Sequence, residues 1–222
     1  MVKTVVSLLT LLIWCNPALA CALPEGRAVY RVEHETFGDI GRQVLTFRCS
    51  GDQLLVDTAV HVAVRVLFVT LYRYEARYHE VWQGDRLVRF ESHTDDNGRT
   101  LEVRARAEAG RMVIDGPEGH SEAPLSVVPD HPWNREMVDH TLLFDPTVGT
   151  LRRVQVTEAG QAPVEVDGRR IMGRKYRVSG DLDLELWYDA RGAWLKWRMR
   201  REEGAVTMTR QLPSAQADAG QA

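Results

Sequence analysis

Lysine is almost missing: of 28 basic residues in this 222-residue chain, only Lys3, Lys175 and Lys196 are lysines. Acids number 31, so the formal net charge is −3, and no global charge bias draws the chain toward nucleic acid or an anionic membrane. Arginines such as Arg104, Arg106, Arg198, Arg200 and Arg201 are interleaved with apolar residues, as on the solvated face of strands rather than in a phosphate-binding patch. Helical periodicity is scarce, with Trp133 to His140 as the exception. Gly-x-Ser-x-Gly, Gly-x-x-x-x-Gly-Lys, His-Glu-x-x-His and Cys-x-x-Cys are all absent, so serine-esterase, nucleotide and zinc-protease readings have no motif behind them. Past Trp14 no apolar run approaches the roughly 20 residues that cross a bilayer.

The first 20 residues follow a different grammar. Lys3 precedes an apolar run from Thr4 to Trp14, Cys15-Asn16-Pro17 breaks it, and Ala18-Leu19-Ala20 offers a small-x-small cleavage site. Residues 1–20 are therefore expected to be a cleaved signal peptide, which sends the protein to the periplasm or cell envelope. Cleavage leaves 202 residues and takes the formal charge from −3 to −4, since Lys3 departs. Cys21 and Cys49 then remain in an oxidising compartment, and a disulfide between them is expected. Lipid attachment at Cys21, as in a bacterial lipoprotein, is the alternative.

The rest reads as strand after strand. Leu54, Val56, Thr58, Val60, Val62 and Val64 alternate with more polar residues, and the pattern runs on through Phe68, Tyr72, Tyr74, Tyr78 and Trp82. The even face of this run is expected to point inward, because the odd face carries Asp57, His61, Arg65, Arg73, Arg77 and His79. Leu67, Val69 and Leu71 depart from that rule. Turn signals punctuate the chain at Gly51-Asp52, Gly84-Asp85, Asn97-Gly98, Asp167-Gly168 and Gly192. The fold expected is all-β: a large curved antiparallel sheet closing into a barrel or half-barrel over residues 21–212, with one irregular region carrying a short helix. That region is 115–149, rich in proline and glycine, and long loops in β domains often carry function. Residues 213–222 lack large apolar side chains and are expected to be a disordered tail.

Two sets of residues qualify as site candidates. Asp130, His131, Asp139 and His140 form the densest polar cluster and are the weak candidates for catalysis; the spacing of the two histidines matches no zinc motif, so no metal or cofactor is expected. The plainer account has Trp133 plugging an end of the barrel while Asn134 or Asp130 caps a short helix. Phe68, Tyr72, Tyr74, Tyr78, Trp82 and Trp133 are the candidates for lining an apolar ligand site, although such a stripe is also ordinary β-protein core.

Thr94-Asp95-Asp96-Asn97-Gly98, Pro132-Trp133-Asn134, Leu186-Trp187-Tyr188-Asp189 with Gly192 and Trp194, and the stretch from Phe68 to Tyr74 followed by Trp82-Gln83-Gly84-Asp85 together resemble the exported bacterial family called domain of unknown function 6134. The chain resembles more distantly the family numbered 3108. The resemblance spans about Arg27 to Leu212 and implies an exported β-rich fold with no assigned activity. The reading adopted is a non-enzymatic envelope protein whose curved sheet holds an apolar small molecule or lipid, with no nucleic-acid partner and an oligomeric state that the sequence does not give. An envelope enzyme using residues 130–140 is the first alternative, and a structural partner of another envelope protein is the second.

Overall fold

The computed structural model describes residues 26–212; the expected leader at 1–20, Cys21 and the expected tail at 213–222 lie outside them. Its strands are β1 (Arg27–His34), β2 (Gly38–Ser50), β3 (Gln53–Val66), β4 (Val69–Gln83), β5 (Arg86–Asp96), β6 (Arg99–Glu108), β7 (Arg111–Gly116), β8 (Gly119–Pro124), β9 (Val128–Pro129), β10 (Leu142–Phe144), β11 (Leu151–Val166), β12 (Arg169–Gly180), β13 (Leu184–Tyr188), β14 (Trp194–Arg201) and β15 (Gly204–Gln211). A 3-10 turn, Arg135–Asp139, lies between β9 and β10. All fifteen strands form one sheet in the order β8-β7-β6-β5-β4-β3-β2-β1-β15-β14-β13-β12-β11-β10-β9. Neighbours are antiparallel, except that β9 and β10 run parallel.

The sheet curls around a shared interior, since one core cluster draws residues from β1 through β14 and from the 127–144 segment. It does not close: β8 and β9 end the order without a ladder between them. The two ends are held by packing instead. A Cβ on Gly116 would sit 2.4 Å from the Val148 carbonyl oxygen, so only glycine allows that approach.

Three expectations need correction. Residues 115–149 are not irregular throughout, because Asp115-Gly116 and Gly119-His120 pair in the β7–β8 hairpin. The short helix is only a single 3-10 turn, capped as expected by Asn134, whose Oδ1 accepts from the Glu136 backbone N–H. The run read from Leu54 to Trp82 is two strands, turned at Leu67-Phe68 with Leu67 at φ +55°. No glycine, asparagine or proline marks that turn, so periodicity alone passes straight through it.

The even face points inward on either side of the turn and not at it. Val56, Thr58, Val60 and Val64 on β3 and Ala76, Tyr78, Glu80 and Trp82 on β4 are buried, while Val66, Phe68, Thr70 and Tyr72 are exposed. The cause is overhang. β2 pairs with β3 only as far as Gly41 opposite Val62, and β5 pairs with β4 only as far as Asp96 opposite Tyr74. Residues 63–73 therefore leave the sheet as a two-stranded ribbon.

Candidate functional site

The 125–150 segment enters the curl and divides it. On one side the interior is solid. Trp82 and Trp133 meet edge to face at 5.5 Å, Phe47 packs on Trp133 at 5.4 Å, and Phe144 packs on Phe90 at 5.2 Å. Glu80, fully buried, collects three donors: the Trp82 indole N–H at 2.9 Å, the Trp133 indole N–H at 3.1 Å and His131 Nδ1 at 2.8 Å. Gln43 Nε2 meets His131 Nε2 at 2.9 Å. Both ring nitrogens of His131 are thus engaged, one by a carboxylate and one by a side-chain amide. This network fixes the plug to β2 and β4, and it explains how a carboxylate survives full burial.

On the other side a cavity of about 800 Å³ remains. Its walls are apolar, from Val32, Val60, Leu184, Trp194, Met199 and Met208 among others. Tyr30 stacks on Trp194 at 3.9 Å and stiffens that wall. Trp194 is 2% exposed, and its indole N–H is a buried donor without a partner among the described residues.

The floor is polar. Arg152, entering β11, lies 3.3 Å from Asp130 Oδ2 and pairs closely with Asp145. Asp145 also accepts from the Thr147 N–H at 2.6 Å and the Val148 N–H at 3.3 Å, the Asx turn that Asp-Pro sequences favour. Two carboxyl groups thus share one guanidinium. Burial, reinforced by the charge of Asp145, pushes the Asp130 carboxyl well above the ordinary carboxylate range despite Arg152 and Arg201. Beside them Tyr74, Tyr78 and Thr147 form a hydroxyl chain, with Tyr74 Oη 2.9 Å from Tyr78 Oη and 3.0 Å from Thr147 Oγ1. Burial raises both tyrosines, so the chain stays protonated.

The candidates named from sequence divide accordingly. Asp130 and His131 reach the cavity, whereas Asp139 is exposed beside Arg135 and His140 is half-buried outside it. Tyr72, Tyr74 and Tyr78 line the cavity. Trp82 and Trp133 belong to the solid side, and Phe68 projects fully into solvent at the ribbon tip. Arg152, Asp145 and Thr147 were missed; Asp145-Pro146 was their only local signal. Asp57 on the odd face pairs across the strands, as His79 Nδ1 lies 2.7 Å from Asp57 Oδ1, and His61 is exposed. Cys49 stands near the exposed end of β2 opposite Leu54, and its expected partner Cys21 lies outside the described residues. Among the described residues, no group of three or more His, Cys, Asp or Glu could hold a metal, and no helix is long and apolar enough to cross a membrane.

The profile of a family described as a domain of unknown function (DUF6134) matches residues 30–211. The chain belongs to the DUF6134 family. The match lends no support to the looser likeness to the family numbered 3108. Among curated proteins, none matches this DUF6134 chain. Among solved structures, it is similar to a beta-barrel-like protein of another domain of unknown function, DUF1849, from Brucella abortus. That similarity has a TM-score of 0.57 at 14% identity and covers 83% of this chain and 94% of the other. At that identity it shows a shared fold for the DUF6134 chain and nothing about activity.

Proposed function

We propose that this is an exported envelope protein that holds an apolar molecule with an uncharged, hydrogen-bonding head in the cavity enclosed by β1–β4, β13–β15 and the 125–150 plug. The observation that carries this reading is a cavity of about 800 Å³ with apolar walls and a polar floor at one end, a size and composition typical of small-molecule sites. An uncharged head fits because Arg152, the half-buried guanidinium of the floor, already faces Asp130 and Asp145, while the cavity's other arginine, Arg201, is exposed. The Asp130 carboxyl and the Tyr74–Tyr78–Thr147 hydroxyls supply hydrogen-bonding groups for it. The unpartnered Trp194 N–H is one more donor in the wall. Export by the leader, and a Cys21–Cys49 bridge, belong to the same proposal.

An enzymatic alternative rests on one observation, a carboxyl at the bottom of a cavity that burial pushes well above the ordinary carboxylate range. His131, its sequence neighbour, has both ring nitrogens engaged by Glu80 and Gln43, so no free base stands beside Asp130 and binding is the better-supported role.

The test is native mass spectrometry of protein purified from its own envelope, followed by titration of the stripped protein with the neutral apolar fluorophore N-phenyl-1-naphthylamine. A co-purifying apolar adduct and saturable probe binding are expected. Met208→Trp fills the cavity from a half-buried wall position and should weaken the probe at least tenfold. Protein that carries no adduct and binds no probe would defeat the proposal.

A further inference from the structure

The ribbon that overhangs the sheet ends in the most exposed apolar side chains of the described chain. Leu67 is 90% and Phe68 102% exposed, with Val69 at 60% and Leu71 at 55% behind them. At about 3.3 Å per residue, Leu67 stands roughly 16 Å beyond the last β2 pair at Val62. Turn chemistry makes the choice of residues more telling. Leu67 occupies a left-handed backbone position where hairpins ordinarily place glycine or asparagine, so a strained, branched side chain is displayed at the outermost point of the turn.

Leu67 and Phe68 form the apex of the turn, Val66 pairs with Val69 directly behind it, and all four are exposed. A projecting apolar apex of this kind is buried whole when it enters a bilayer. The ribbon's base mixes charges, with Glu75 and Asp96 standing among its arginines. Arg31 is 3.9 Å from Asp39 and Arg73 is 2.7 Å from Asp95, but Arg42 and Arg65 have no acidic partner among the described residues. Apolar side chains at a tip, with the unpaired Arg65 two residues behind Leu67 and the unpaired Arg42 further back opposite His61, match the layering of an anionic membrane interface.

We propose that the β3–β4 ribbon is a membrane-docking element that inserts Leu67 and Phe68 into an anionic phospholipid surface, with Arg42 and Arg65 facing the headgroups. The docking stands whatever the cavity contains. Because Tyr72 and Leu71 of the ribbon also line the cavity, docking would bring the cavity against the bilayer.

Vesicle flotation tests this, using full-length mature protein whose intact mass shows no attached lipid. Vesicles of phosphatidylglycerol with phosphatidylethanolamine should carry the protein up the gradient, and vesicles of phosphatidylcholine should carry less. The double variant Leu67→Gly/Phe68→Asn restores ordinary hairpin-turn residues, so it should fold as well as the parent while its binding falls at least tenfold. Arg42→Gln/Arg65→Gln should lower binding to the anionic vesicles several-fold and leave binding to the neutral ones unchanged. Absence of flotation by the parent protein overturns the proposal, as does undiminished flotation of the tip variant. A concentration-dependent dimer abolished by the tip variant, without vesicle binding, would assign the tip to a second copy of the chain and overturn it equally. An unaltered response of the arginine variant would remove the anionic surface as the partner.

Discussion

The β3–β4 and β11–β12 hairpins both overhang their neighbours and both carry apolar residues into the overhang, but only one overhang is covered. In β11–β12 the pairing slips between Glu158 and Gln161, with Gly160 at φ +82°. Past the slip, Val164 and Val166 lie on Trp187 and Leu195 in a second small core. Gly173 makes room, since a Cβ there would stand 3.2 Å from Leu195 Cδ1 and 3.3 Å from Trp187 Cβ. Asp167 at the tip accepts from the Leu212 N–H, tying the fold-back to the end of the described chain. The β3–β4 overhang also has a register shift, at Val64/Arg65, and Val64 packs on Val32 and Ile40, yet nothing beyond Val64 finds cover. Apolar sequence in an overhang is thus not by itself a sign of core; a bend with a glycine clearance decides whether it is buried.

Four measurements would break or sharpen that contrast. The largest effect is expected at the root of β3–β4, where Glu80→Ala strands His131 and two indoles inside the protein. It should cost about 3–5 kcal/mol in chemical denaturation. Glu80→Gln should cost clearly less, because an amide still accepts from the tryptophans. Next is the covered tip: Val166→Ala should cost about 2 kcal/mol by lost burial and a residual void. The contrast would fail if Val166→Ala proved neutral.

Third comes the floor of the cavity. The Asp130 carboxyl titrates higher folded than unfolded, so its contribution is fully present below the ordinary aspartate range and is lost as pH rises toward the folded value. Asp130→Asn should therefore gain stability over the parent as pH rises through the aspartate range and above it. Melting curves across pH 4 to 8 that run parallel for the two proteins would contradict this. Smallest is the uncovered tip. Phe68→Ser should change stability by less than about 0.5 kcal/mol, and Leu67→Gly should raise it by up to about 1 kcal/mol through relief of the left-handed backbone. A loss at Phe68 comparable to that at Val166 would mean that the tip is packed after all.

Much of the fold was legible because it is written locally. Asn97-Gly98 and Asp167-Gly168 mark their hairpins, and the alternation over 56–64 and 74–82 sets the inward face. The expectation of a barrel or half-barrel came close, but whether a curl closes depends on how its two ends meet, here at Gly116 and Val148, which no local pattern encodes. The turn at Leu67-Phe68 was hidden because it breaks turn chemistry. The site was only half legible. Asp130, His131 and the tyrosines stand out by type, and Glu80 fell on the inward even face, but nothing near it in sequence names what would satisfy a buried carboxylate. Its partner His131 is 51 residues away, and Gln43 is 88 residues from His131, so the network exists only in three dimensions. Arg152 was hidden for the same reason: nothing in a strand-leading arginine announces that two aspartates converge on it.

The unpaired line between β8 and β9 has a mechanical consequence. Elsewhere around the curl, changing the bore means breaking ladder hydrogen bonds in rows. Along that line no ladder forms, the Val127 N–H to Pro124 carbonyl bond belonging to the turn at its end, so widening there sacrifices no row of hydrogen bonds. The wall is a split ring rather than a pipe, its slit beside the segment that plugs it, and amides of β8 and β9 should exchange with deuterium well before those of β3 and β4 at the closed back of the ring.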